Sequence, residues 1–110
     1  MITSSLLLII WLHFVADFVL QSTKMATNKS KSMLYLSDHA VIYGIPFMIF
    51  ISPTYGFINL VLHGMVDFVT SRITSKLWLK EDKHYFFVIV GLDQAVHLTI
   101  LVATYKLLIG

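Results

Sequence analysis

The chain is 110 residues long, with hydrophobic residues at 57%, charged residues at 13%, a net charge of +2 and no cysteine. That length suits one compact domain, and the missing cysteines exclude disulfides, thiolate nucleophiles and Cys-ligated metal. Soluble domains carry about 25% charged residues, whereas mean hydropathy here is +0.81, so lipid is the expected solvent and no basic face is massed for nucleic acid.

The first apolar segment covers residues 2–20, "ITSSLLLIIWLHFVADFVL". At a rise of about 1.5 Å per residue it just spans a hydrocarbon core of roughly 30 Å. It has no basic leader or small-residue cleavage site and carries Asp17, so the expectation is a retained transmembrane helix rather than a secretory signal. His13, Asp17 and Gln21 are spaced by four and share one helical face. The following link, with "KMATNKSK", supplies Lys24, Lys29 and Lys31. Its charge is read as topogenic ahead of any attraction to phosphate head groups.

The second segment covers residues 34–51, with Ser37, Asp38 and His39 near its start and Tyr43 one turn further in. Pro46 is expected to kink this helix without ending it, because neighbouring helices can satisfy the freed backbone. An uncharged "SPTYG" leads to the third segment, residues 55–78, apolar to Val69 and amphipathic through "TSRITSKLWL". Asn59, His63, Asp67 and Ser71 are again spaced by four. Arg72, Lys76, Lys80 and Lys83 then lead into "KEDKH", whose His84 is expected in solvent. The fourth segment, residues 85–108, carries Asp93 and His97 four apart, with Gln94 between them, and only Lys106 near its end.

The positive-inside rule puts both basic links in the cytoplasm and both termini on the opposite side. The expectation is therefore an all-α, integral membrane four-helix bundle, with residues 1–110 forming one multi-pass transmembrane domain in the inner (cytoplasmic) membrane. In that topology the His and Asp residues meet in one layer, between the bilayer midplane and the cytoplasmic surface.

A charge at mid-membrane costs on the order of 2.5–3.5 kcal/mol. With the Lys and Arg residues confined to the links, no internal basic partner is expected beside Asp17, Asp67 or Asp93, and a shared divalent cation would neutralise them. Ligands four apart on one helix can reach one ion, as in H-E-x-x-H metalloproteases. The candidate metal ligands are His13, Asp17, His39, His63, Asp67, Asp93 and His97. Mixed imidazole and carboxylate donors suit zinc, ahead of iron or manganese.

Asp17, Asp67 and Asp93 are also the candidate catalytic groups, as general base or as partners that orient a ligating His. A metal-dependent hydrolase follows, with metal-activated water attacking an ester, amide or phosphoester in an amphiphilic or phosphate-containing substrate. Two other readings stand beside it. One is a proton- or ion-conducting bundle, as a single chain or a homo-oligomer, in which the same stripe lines a wet path. The other is a membrane interaction subunit whose polar network sets helix packing, since intramembrane hydrogen bonds average about 0.6 kcal/mol.

"HFVADFVLQ", "KMATNKSK", a His near the second helix, "HGMVDF" and "LDQAVHL" give the chain a resemblance. It resembles the domain-of-unknown-function 3307 family of small bacterial and phage membrane proteins over most of its length. The resemblance implies a membrane bundle with grouped His and Asp, and no particular substrate. It also implies a basic residue three positions past the Asp of "HGMVDF", where this chain has Thr70. A fainter likeness to membrane-bound metal-dependent hydrolases rests on the clustered His and Asp alone.

Overall fold

The computed structural model describes residues 2–110, with side chains from Ser4 onward, and among them every regular element is helical. Helix α1 (Ile2–Phe14) runs into a π-helical turn (Val15–Val19), followed by α2 (Thr23–Asn28), α3 (Met33–Phe50), α4 (Pro53–Leu79) and α5 (Lys83–Leu108). Serine and aspartate start three of them. Ser22, Ser52 and Asp82 accept the N–H groups of Met25, Tyr55 and Tyr85, satisfying donors that a first turn leaves free. Pro53 follows Ser52, where its missing N–H is not needed.

Two expectations need correction. The first helix does not stay α-helical to Leu20: the Leu20 N–H donates to Val15 O, 2.9 Å away, so the last turn holds an extra residue around Asp17. Asp17 still faces the interior beside His13 from within this turn, and Gln21 lies beyond it. The basic link "KMATNKSK" is not plain connection either, since α2 forms within it and buries Met25.

Small residues set how closely the helices approach. Helices α3 and α4 pack along Ala40 and Gly44 on one side and Gly56 and Gly64 on the other. A Cβ on Gly44 would come within 2.7 Å of Leu60 Cβ, and one on Gly56 within 2.4 Å of Met48 N. Only glycine allows this approach, because any larger residue would meet the facing helix. Helix α5 packs on α4, and α1 closes against α3 and α5.

Beside an apolar cluster, the interior holds many polar side chains, and many large apolar ones are exposed. Asp17, His39, Asn59, His63, Asp67 and His97 are buried, while Trp11, Ile49, Phe57, Met65 and Phe87 are exposed. Helices α3 and α5 are long and apolar enough to cross a membrane, with mean hydropathies of 1.4 and 2.0. The apolar part of the first helix, Ser4–Val19, is shorter. Helix α4 is diluted by its polar stripe and basic end. Four equivalent crossings are thus reduced to two helices that meet the criterion of length and hydropathy.

Candidate metal centre

Each main helix carries a stripe of residues four apart that faces the interior, and each stripe changes character along its length. On α1 it runs Ile9, His13, Asp17; on α3, Phe47, Tyr43, His39; on α4, Tyr55, Asn59, His63, Asp67; on α5, Leu101, His97, Asp93. All but Asp93 are buried, and Asp93 is partly so. Because successive helices run in opposite directions, the His and Asp ends coincide at one level.

At that level four ligand atoms converge. His39 Nε2 lies 3.0 Å from Asp17 Oδ1, 3.3 Å from Asp67 Oδ2 and 3.0 Å from His63 Nε2. His63 Nε2 lies 3.4 Å from each of the same two carboxylate oxygens. Asp17, His39, His63 and Asp67 are close enough to hold one metal ion. A second group, Asp17, Asp93 and His97, meets the same test and shares Asp17. His97 Nε2 lies 3.0 Å from Asp93 Oδ1 and 3.3 Å from Asp67 Oδ1.

His13, the remaining candidate ligand, belongs to neither group. Its position is explained by Gln94, whose amide nitrogen donates to Asp93 Oδ2 (3.1 Å) and Asp17 Oδ2 (3.3 Å). Both carboxylates only accept, so the Gln94 Oε1 must point the other way, and it lies 2.7 Å from His13 Nε2. That ring nitrogen therefore carries the proton, and a neutral His13 accepts the Tyr43 O–H at Nδ1, 2.9 Å away. With both nitrogens engaged, His13 braces Gln94 and Tyr43. The Tyr43 ring in turn stacks on His63 at 3.7 Å, and His63 stacks on His97 at 4.1 Å.

An internal basic partner is present after all. Lys29, just past α2, donates from Nζ to Asp67 Oδ2 at 3.0 Å. Spacing could not reveal it, because Lys29 lies in a link and reaches the site only through the fold of α2. Thr70, standing where the resemblance implies a basic residue, donates to Asp93 Oδ1 at 2.6 Å. His84 is exposed beside Tyr85, away from the cluster.

A cavity of about 120 Å³ borders the cluster and is lined by Asp17, Asp67, Asp93, Gln94, Lys29 and Ser71, among others. Ser71 Oγ and Gln21 Oε1 beside it are buried without a hydrogen-bond partner. On the opposite side the cluster is sealed by Ile9, Leu12, Tyr43, Phe47, Tyr55 and Leu101. The site thus opens at one end only.

The sequence matches the family described as "Protein of unknown function (DUF3307)" over residues 5–110, nearly the whole chain. No curated protein and no solved structure matches it. The chain belongs to the DUF3307 family.

Proposed function

We propose that this protein is a multi-pass protein of the inner membrane that holds a divalent metal ion between its helices and uses it for hydrolysis. The observation that carries the reading is the spacing of four donor atoms. Ligands around a tetrahedral ion with bonds of about 2.0–2.1 Å stand about 3.3–3.4 Å apart. Five of the six separations among Asp17 Oδ1, His39 Nε2, His63 Nε2 and Asp67 Oδ2 run from 3.0 to 3.4 Å, and the two carboxylates lie within 4.8 Å of each other. Hydrogen bonding alone accounts for this poorly. His39 Nε2 carries at most one proton yet has three polar atoms around it, one of them another ring nitrogen.

The membrane setting is supported by the exposed apolar belt and by the molecule's long dimension of 45 Å. A bilayer with its head-group regions is roughly 40–45 Å thick. In the expected topology, with both termini outside, the cavity opens toward the cytoplasm and Lys29 stands at its mouth.

Zinc is the preferred ion, ahead of iron or manganese, because the donors are imidazole and carboxylate in a tetrahedral spacing. Because four protein donors complete a tetrahedral shell, a bound ion would supply water activated near neutral pH only by expanding to a fifth position on the cavity side. The chain's own groups do the rest. Asp93, oriented by Thr70 and Gln94, is placed to take a proton, and the Lys29 ammonium with the Ser71 hydroxyl suits a phosphate-bearing amphiphile. The sealed apolar end makes a conducting path through a single chain less economical than a one-ended site.

One observation favours a second reading, a purely structural ion-pair network: the Lys29–Asp67 contact already offsets part of the buried charge. Elemental analysis of the full chain purified in detergent separates the two. The hydrolase reading expects at least one equivalent of a first-row divalent metal, lost in His63→Ala. It also expects hydrolysis of a phosphoester-bearing amphiphile that stops with a chelator and returns with added zinc. Folded wild-type protein that takes up no metal overturns the reading in favour of the structural network.

A further inference from the structure

We infer that the centre holds two divalent ions that share Asp17, with the second ion on the cavity side between Asp17, Asp93 and His97. This inference rests on the metal reading above and adds a second ion to it.

The carboxylates are turned the way bridging ligands must be. Asp17 directs Oδ1 to His39 and His63, at 3.0 and 3.4 Å, while its Oδ2 faces the Gln94 amide. Asp67 directs Oδ2 to the same two rings, at 3.3 and 3.4 Å, while its Oδ1 faces His97 Nε2 at 3.3 Å. Asp67 thus has an oxygen on each side, while Asp17 Oδ2 is held by the Gln94 amide and would exchange that hydrogen bond for the second ion. Paired catalytic metals stand about 3.5–4 Å apart, a separation that one bridging carboxylate can span.

The second group is a built site in its own right. Its imidazole is buried, with Nε2 committed to two carboxylate oxygens, and Asp93 is oriented by Thr70 and Gln94. Next to it Ser71, only 7% exposed, has a hydroxyl with no partner and lines the same cavity. Asp17, Asp67 and Asp93 line the cavity, whereas His39, His63 and His97 lie behind it. The second position differs from the first in being completed by Asp93 at the cavity wall, with room beside it for water or a substrate oxygen.

Three carboxylates and Lys29 leave the site at two negative charges when the rings are neutral. One divalent ion brings it to neutrality. Two leave a positive surplus at the cavity wall, the polarity needed to hold an anionic phosphoryl group.

The test is a manganese titration of the full-length, chelator-stripped protein in detergent, read by bound equivalents and by electron paramagnetic resonance. The expected result is two equivalents of manganese per chain with an exchange-coupled spectrum. His97→Ala should fall to one equivalent with an isolated-ion spectrum. Asp93→Asn, nearly the same shape and keeping one of the two acceptor oxygens, should do the same and guards against a folding defect in the first variant. One equivalent in the wild type, unchanged in Asp93→Asn, overturns the second ion and leaves the single-ion reading standing. No bound manganese or zinc in folded wild type overturns both.

Discussion

The two ends of the helix interior are built from the same four stripes and behave as opposites. At one end Ile9, Phe47, Tyr55 and Leu101 interlock without a gap. One to three turns along the same helix faces, Asp17, His39, Asp67 and His97 converge on one another instead. The apolar end stabilises by shape, and each contact there is worth having alone. At the polar end each group is costly alone and becomes tolerable only in company, because an unpaired buried charge is penalised far more than a pair. Tyr43 sits at the boundary and belongs to both, with its ring against Phe47 and His63 and its hydroxyl on His13. A rigid apolar end is what allows a polar end to keep four donor atoms within bonding distance of a common point.

The sharpest way to break this contrast is a pair of substitutions of similar cost but different consequence. Asp67→Asn removes the charge that faces three imidazoles and Lys29, and should cost about 3–5 kcal/mol in denaturation experiments while abolishing metal uptake. Phe47→Ala should cost a similar amount, about 3–5 kcal/mol, by opening a cavity, yet leave bound metal equivalents unchanged. If Phe47→Ala also empties the site, the two ends are not separable.

Gly56→Ala blurs the contrast by design. The added Cβ would fall 2.3 Å from Met48 Cγ at the apolar end and must push α3 from α4. Overpacking of this kind costs about 1–3 kcal/mol, and metal affinity should weaken with it, because His39 and His63 approach through the same helix pair. Unchanged affinity measured by competition with a zinc chelator would show that the two ends move independently.

The smallest expected effect belongs to the boundary residue. Tyr43→Phe keeps the stacking on His63 but removes the donor to His13 Nδ1, a loss of about 1 kcal/mol. Metal equivalents should stay the same, since His13 belongs to neither ligand group. A fall in bound metal would show that His13 acts on the site through Gln94 more strongly than a brace would.

The periodicity of the sequence was enough to show that the chain is helical and that His and Asp line one face of each long helix. Those features are local: the 3.6-residue turn sets them whatever the neighbouring helices do. The same local logic marked Asp17, His39, His63, Asp67, Asp93 and His97 as companions at one depth. What it could not supply were distances between atoms on different helices. The close approach at Gly44 and Gly56, the π-turn around Asp17, the orientation of Gln94 and the reach of Lys29 all depend on tertiary contact. Those contacts set His13 apart from the ligand groups, brought a basic partner to Asp67 and divided the remaining residues into two groups that share Asp17. A sequence records which way a side chain faces on its own helix. Only packing decides which atoms come within 3 Å of each other, because that separation is set by the fit of whole helix surfaces.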